Sequence, residues 1–353
     1  MTDHSSTTDT GRRRLLLGGA AGLAGGLAAP AIATAQGATT TWRVQSVWAG
    51  GVGLDAFMAW CDSIVEKSGG ELAFEGYKSG DLVGDFEVYD ALRDGRIEAA
   101  NPFTVYANRF TPAGVFLSSY PMAMRAPHEF DVFYYGLGGL EITREIYARE
   151  GLFFVGPIHH GPNIIHSQKP LRFWSDFEGI TMRTPGGMVA DFFQALGANT
   201  VTLPGSEIFG AFERGEIQAA DFVGPSANYA YGFSEVTDFI SMGPPGYMSV
   251  YQPVDLMDLT VALPAWEALS PRMKLLVEQE VHAYSDLHHA AIQAADQEAW
   301  ALFEADGTRV ARLTQEDVRV MTKIATPIWF DYAKRDPDAE RIFRIQLAYM
   351  ASG

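Results

Sequence analysis

Ala91–Asn101 reads ALRDGRIEAAN, and 120 residues further on Ala211–Asp221 reads AFERGEIQAAD, with five of the eleven positions identical. Each copy has the same physical content: a helix end, a glycine able to take the left-handed cap, then a small-residue strand that packs closely against a neighbour. The repeat predicts two lobes of similar α/β construction; chance similarity in an Ala/Gly-rich chain is the alternative. In lobes of that kind, ligands sit beyond the carboxyl ends of the strands. Asn101-Pro102-Phe103 and Asp221-Phe222-Val223-Gly224 would then face one shared cleft.

Strand and helix signals alternate around the repeat. Thr40–Trp48 (TTWRVQSVW) is β-branched and aromatic and predicts a strand, broken by Gly50–Gly53. Leu54, Phe57, Met58, Cys61, Ile64 and Val65 recur near helical spacing until Gly69-Gly70. Asp85–Leu92 predicts a short helix and Ile97–Ala100 a buried strand, while beyond Pro264 helical patterns dominate, with 271–306 as one long helix or a broken pair. No low-complexity linker separates two independent halves. The expected lobes are residues 36–155 with 222–250, and residues 156–221 with 251–353, the second including the C-terminal helices.

The chain has 353 residues, with 26 Lys+Arg against 43 Asp+Glu, a net charge of -17, 47% hydrophobic residues and one cysteine. This is enough chain for a substantial core, and the charge argues against nucleic acid or an anionic membrane surface as partner. One cysteine excludes an intramolecular disulfide framework and Cys-rich metal centres. At the N-terminus, Arg12-Arg13-Arg14 opens an Ala/Gly-rich stretch with no further charge until Arg43, and Ala33-Thr34-Ala35 offers a small-x-small cleavage site. Residues 1–35 therefore read as a twin-arginine export signal to the periplasm; an uncleaved membrane anchor is the alternative. Cleavage leaves 23 basic and 41 acidic residues, a net of -18.

The strongest chemical candidate is Thr181–Met188 (TMRTPGGM). Pro185 keeps Thr184 out of the helical region, and Gly186-Gly187 allows a tight turn into a helix over Met188–Leu196. An arginine at a strand end beside a helix start is a good carboxylate receptor, because its guanidinium donates a two-pronged, charge-assisted hydrogen bond. An ordinary structural ion pair for Arg183 is the alternative. His159-His160, His166 and His288-His289 lack the spacing that places two metal ligands on one helix face. Cys61 sits on an amphipathic pattern as a small core residue. Nucleophile elbows, phosphate loops and dinucleotide fingerprints are absent from the sequence, so catalysis has no motif behind it.

Trp42–Trp48, Glu66–Leu72, Ser79–Val83, Phe86–Ala91, Met182–Gly186, Leu203–Ile208 and Gly215–Pro225, in that order and spacing, resemble the extracytoplasmic solute-binding proteins of tripartite ATP-independent periplasmic (TRAP) transporters. The resemblance is to the branch that binds 2-oxo and 2-hydroxy acids. It implies an α/β, two-lobed periplasmic-binding-protein architecture with strands crossing between the lobes, a long bracing helix, and a cleft that closes on a small organic acid. It also implies delivery of that acid to the membrane permease, with no reaction catalysed.

In the family the arginine of the Met-Arg-x-Pro-Gly motif pairs with the substrate carboxylate, and Arg183 matches it. In the oxo-acid branch a cation, here calcium or sodium, bridges ligand and protein. Asp221 and the backbone carbonyl of Phe222 stand where the family more often has Glu-Trp. Gln252, in Val250-Tyr251-Gln252-Pro253, stands where a ligating Glu is usual; the amide keeps an oxygen donor and loses a charge. A family Gln or Glu before the arginine segment lacks a clear match in His160-Gly161-Pro162-Asn163, where Asn163 is the available substitute. Either a weaker cation site or a ligand held without metal is therefore expected, with simple loop hydrogen bonding as the alternative for Asn163 and Gln252. Trp48, Phe103, Tyr106 and Phe222, at predicted strand ends, are the expected apolar walls, with ordinary core packing as the alternative for each. In some relatives the C-terminal helices form a homodimer. The rival readings are a periplasmic metal-dependent enzyme using Asp221 and the histidines, and a ligand-sensing subunit of a receptor.

Overall fold

The two copies of the repeat end in equivalent strands. A computed structural model describes residues 39–352; the expected export signal at 1–35, and the alternative of an anchor there, lie outside the described residues. The strands are β1 (Thr40–Ser46), β2 (Leu72–Tyr77), β3 (Ala99–Asn101), β4 (Leu152–Ser167), β5 (Thr181–Thr184), β6 (Asn199–Thr202), β7 (Ala219–Phe222), β8 (Phe239–Met242), β9 (Gln252–Ala262) and β10 (Arg309–Arg312). In the first lobe β1 pairs in parallel with β2 on one side and β3 on the other. In the second, β5 pairs in parallel with β6 and β7 in the same arrangement. Helices Gly51–Lys67 and Val88–Arg93 make the crossovers of the first lobe, and Gly187–Ala195 and Ile208–Glu213 those of the second. The repeat is therefore the last helix and last strand of a βαβαβ unit that occurs twice.

The local geometry of the two copies agrees closely. Gly95 has φ 67° and Gly215 φ 68°. The next amide closes the helix in both, Arg96 N–H to the Ala91 carbonyl (2.8 Å) and Glu216 N–H to the Ala211 carbonyl (3.0 Å). Only a residue free to adopt positive φ permits that closure. It also shifts the expected strand at Ile97–Ala100: the amide of Ile97 is still directed at the Ala91 carbonyl, so pairing begins at Ala99.

Two long strands join the lobes. β9 lies antiparallel to β3 and to β4, and β4 continues past β9 to pair with β7 and β8. The β4–β9 ladder slips register between Phe154 and Gly156, His159 and Gly161, and Gly161 and Asn163. Both strands are almost continuously buried, as strands covered on both faces must be. The expected lobe boundaries differ here. β8, within 222–250, pairs with β4 and β10 in the second lobe's sheet, whereas β9, assigned to the second lobe, pairs with β3 of the first. An antiparallel strand added to a parallel core leaves no period by which its sheet can be read.

Pro271–Ala305 is one unbroken helix of 35 residues, with Ser270 accepting from the Met273 amide as its N-cap. Met273, Val277, Val281, Tyr284, His288, Ile292, Ala299 and Phe303 form its buried stripe. The stripe packs on β4 and on helices Gly51–Lys67 and Pro225–Ala230, one from each side of the cleft. Two further helices, Gln315–Ala333 and Pro337–Met350, return over the molecule. The first packs on Gly187–Ala195 and the second on Gly114–Leu117 and Gly139–Arg149. Among the described residues no helix is long and apolar enough to cross a membrane.

Candidate functional site

The carboxyl ends of β1, β3, β5 and β7 meet where the lobes face each other. β5 ends in Arg183-Thr184, and the turn Pro185-Gly186-Gly187 follows with φ of 94° and 58° at the two glycines. A Cβ on Gly187 would lie 2.6 Å from the Asn108 amide across the cleft, so that position requires both glycine's backbone and its lack of a side chain. Arg183 is only 2% exposed. Its Nε donates to the Leu203 carbonyl (2.8 Å) and Nη1 to the Asp221 carbonyl (2.6 Å). Two of about five guanidinium N–H groups are thereby used, and the ring of Phe222 lies 5.3 Å from its central carbon. Among the described residues Arg183 is held by the Leu203 and Asp221 carbonyls and by no carboxylate ion pair, the alternative reading of the motif.

Arg183 and Pro185 close one side of a cavity of about 20 Å³, with Asp221, Phe222 and Val223 from the end of β7. Phe103, Val105 and Tyr106 come from the loop after β3, and His160, Asn163 and Asp255 from the crossing strands. That space holds about one water-sized molecule. The lobes are drawn together around it. Ser206 donates to Asp85 (3.2 Å), Ala49 N–H donates to the Tyr231 hydroxyl (2.8 Å), and Phe103 and Phe222 meet edge to face at 6.0 Å.

Polar groups aimed into this space lack protein partners. Asp221 accepts from the Tyr251 hydroxyl through Oδ1, and its Oδ2 has none. The Tyr106 hydroxyl, Asn163 Oδ1 and both nitrogens of His160 are also buried and unpartnered among the described residues. Burial pushes the Asp221 carboxyl up to about 7, against the pull of Arg183 and the Tyr251 hydrogen bond. Burial likewise raises Asp85, opposed by hydrogen bonds from Ser79 and Ser206. Asp255 is buried beside them, accepting from Ser118, from the Ser119 and Leu256 amides, and from Asn163 Nδ2 (2.8 Å). Leaving buried polar atoms unpaired is costly, and a polar guest in this cavity would lower that cost.

Six of the residues singled out in the sequence line this cavity: Arg183, Asn163, Phe103, Tyr106, Asp221 and Phe222. Trp48 stands behind the wall, edge-on to Phe103 (5.5 Å) and His160 (6.0 Å) and stacked on His288 (5.8 Å). Gln252 is one layer out as well, donating to the Ser119 carbonyl (2.7 Å) and accepting from Asn163 at 3.4 Å. Sequence reasoning missed Asp255 and His160. The signal available was a carboxylate inside the otherwise apolar run Val254-Asp255-Leu256-Met257.

The donor set suits a hard cation: Asp221 Oδ2 and Asn163 Oδ1 are free oxygens beside the Asp255 carboxylate. Among the described residues no three His, Cys, Asp or Glu side chains gather closely enough to hold a metal on their own, so amide, carbonyl or ligand oxygens would have to complete the shell. The remaining histidines do not form a metal centre. His159 pairs with Asp131 (2.9 Å), and His288 Nδ1 sits 3.0 Å from the His159 carbonyl. Cys61 is buried in the core, as its spacing implied.

A strand-end arginine facing a cleft between two βαβαβ lobes defines a bilobal solute receptor. The chain belongs to the family described as bacterial extracellular solute-binding protein, family 7, whose model matches residues 49–336. It is 26% identical over 304 residues to a monocarboxylate 2-oxoacid-binding periplasmic protein of Nostoc, covering 86% of this chain and 82% of that one. A TRAP periplasmic solute-binding protein of Rhodobacter sphaeroides, solved in an apo open state, superposes with a TM-score of 0.66 at 25% identity over 89% of this chain and 98% of that one. A TRAP solute-binding protein of Bordetella bronchiseptica, solved as a dimer with calcium and picolinate in one site, superposes with a TM-score of 0.81 at 22% identity over 90% and 93%. The protein is therefore a periplasmic solute-binding protein and not an enzyme, which sets aside the metal-dependent hydrolase or lyase expected as the rival.

Proposed function

We propose that this protein captures a small organic acid of the 2-oxo or 2-hydroxy monocarboxylate class and hands it to the membrane permease of a TRAP transporter. The carrying observation is a fully buried guanidinium without a carboxylate partner, directed with unpaired oxygens into one small cavity. Arg183 clamps the carboxylate with its remaining N–H groups. Tyr106 and His160 offer hydrogen bonds to the neighbouring oxygen, while Phe103 and Phe222 enclose the apolar end. Asp221, Asn163 and Asp255, with Gln252 steadying Asn163, hold a calcium or sodium ion. Such an ion supplies positive charge that bridges the acid to these oxygens.

The cavity of about 20 Å³ is too small for the acid to enter as it stands, so capture requires the lobes to part and reclose. The contacts between the lobes, Ser206 to Asp85, Ala49 to Tyr231 and Phe103 against Phe222, support a closed arrangement here. The C-terminal helices, exposed along much of their length, are where a homodimer would form.

A thermal-shift screen of the mature chain against small carboxylic and sulfonic acids, with and without calcium, tests the reading. A ligand at about 100 times its Kd adds roughly 2.7 kcal/mol of stability. A 2-oxo or 2-hydroxy acid should raise the Tm of the wild type by several degrees and leave Arg183→Ala unmoved. A shift that persists in Arg183→Ala removes the clamp from the proposal.

A further inference from the structure

A second, larger cavity of about 440 Å³ lies between Met122–Arg125, the 247–253 loop and helix Gln315–Ala333. Its floor is apolar: Met122, Ala123, Val250, Pro253 and Val318. Its rim carries three cations, Arg125, Arg319 and Lys323, and no carboxylate lines it. Arg319 is paired with Glu316 outside the cavity. Arg125 and Lys323 have no ion pair among the described residues. Three cations converging on an apolar hollow are out of keeping with a chain of net charge -17, and a volume in this range is that of a small-molecule site.

The backbone is also unusual there. Met122 is the one residue other than glycine with positive φ (66°) among the described residues, and its amide is tied to the Tyr251 carbonyl (2.8 Å). That conformation costs energy in a bulky residue, and it lies in the lining of this cavity.

We propose that this cavity is a second binding site, separate from the cleft, for an amphipathic monocarboxylate. Its hydrocarbon part lies on Met122, Val250, Pro253 and Val318, and its anionic head is held by Lys323, Arg125 and Arg319. The apolar floor rejects a small hydrophilic acid of the kind the cleft takes, and the cationic rim rejects a neutral alcohol of the same length. This assignment rests on the second cavity alone and does not depend on the acid proposed for the cleft.

Octanoate and 4-phenylbutyrate are the probes, with octanol as the uncharged control, followed by calorimetry and saturation-transfer NMR on the full mature chain. Saturable one-to-one octanoate binding should appear with a Kd of about 1 mM or tighter, persist in Arg183→Ala, and be about tenfold tighter than that of octanol. The exposed charge reversals Lys323→Glu and Arg319→Glu, combined, should abolish it while leaving the folded protein's response to its cleft ligand unchanged. Thr322→Trp, which fills the hollow without changing charge, should abolish it as well. The proposal is overturned by any of three results: neither carboxylate saturates, binding disappears in Arg183→Ala, or octanoate binds the charge-reversed protein as tightly as the wild type.

Discussion

The two lobes place the same element in the same position and use it for opposite purposes. At the end of β3, Asn101 is buried and donates to the Asp258 carbonyl (2.8 Å), tying its lobe to the crossing strand β9. At the matching end of β7, Asp221 offers its backbone carbonyl to Arg183 and keeps a carboxylate oxygen unpaired at the cavity. The amide ties the two strands without burying charge, although its own Oδ1 has no partner among the described residues. A carboxylate must be desolvated and is only partly repaid by Arg183 and Tyr251. The fold thus supplies two equivalent strand ends, and the polar roles divide between them: Asn101 ties the first lobe to β9, and Asp221 of the second presents a carboxylate oxygen to the cavity.

Exchanging the two residues tests that division. Asn101→Asp should be the most damaging change, because it removes the donor to Asp258 and sets a carboxylate against a carbonyl in a dry site. Urea denaturation at pH 7 should show a loss of about 2–4 kcal/mol, shrinking at pH 5 as the new group takes up a proton; a loss below about 0.5 kcal/mol would mean the two strand ends are not distinct environments. Asp221→Asn, the reverse exchange, should leave the ligand-free chain at least as stable, by about 1 kcal/mol. It should also erase any calcium-dependent rise in Tm, and a calcium response of wild-type size in that variant would remove Asp221 from the cation site.

A third change concerns the strand both lobes share. Asp258 is fully buried and accepts from the Thr104 and Thr260 hydroxyls, and burial pushes its carboxyl up to about 7. The folded state therefore keeps a proton that the unfolded chain releases near pH 4. The associated stability is complete below that pH and is lost as pH rises through 7. Asp221 contributes in the same direction, so Asp258→Asn should flatten part of the fall in Tm between pH 5 and 8. An unchanged pH profile would place the charge elsewhere. The smallest effect is expected from Phe222→Leu, which loses the ring beside Arg183. Ligand affinity should drop by about 0.5–1 kcal/mol, with the calcium response intact.

Much of this was legible in the residues. The repeat carried the topology because its glycines and small strand residues answer to local geometry. Arg183 stood out because Pro185 and the glycines after it fix a strand end before a helix. Asp255 and His160 were hidden: both lie on crossing strands, where burial on two faces erases the alternation that reveals which side a residue serves. The lobe membership of β8 and β9 was equally hard to read, since β8 pairs with β4 and β10 far from it in sequence and β9 runs between the lobes. Trp48 and Gln252 were placed one layer too close, since a position at a strand end gives the neighbourhood and not the depth.

The register slips in the β4–β9 ladder have a mechanical consequence. Each leaves the two strands locally less stiff, and they fall between Phe154 and Asn163, beside His160 and opposite Asp255. A lobe turning about those slips would carry Arg183, at the end of β5, away from Phe103, after β3, while Asn163 and Asp255 ride on the crossing strands themselves. Opening of the cleft at those slips would change the angle between the lobes and leave the sheet of each intact.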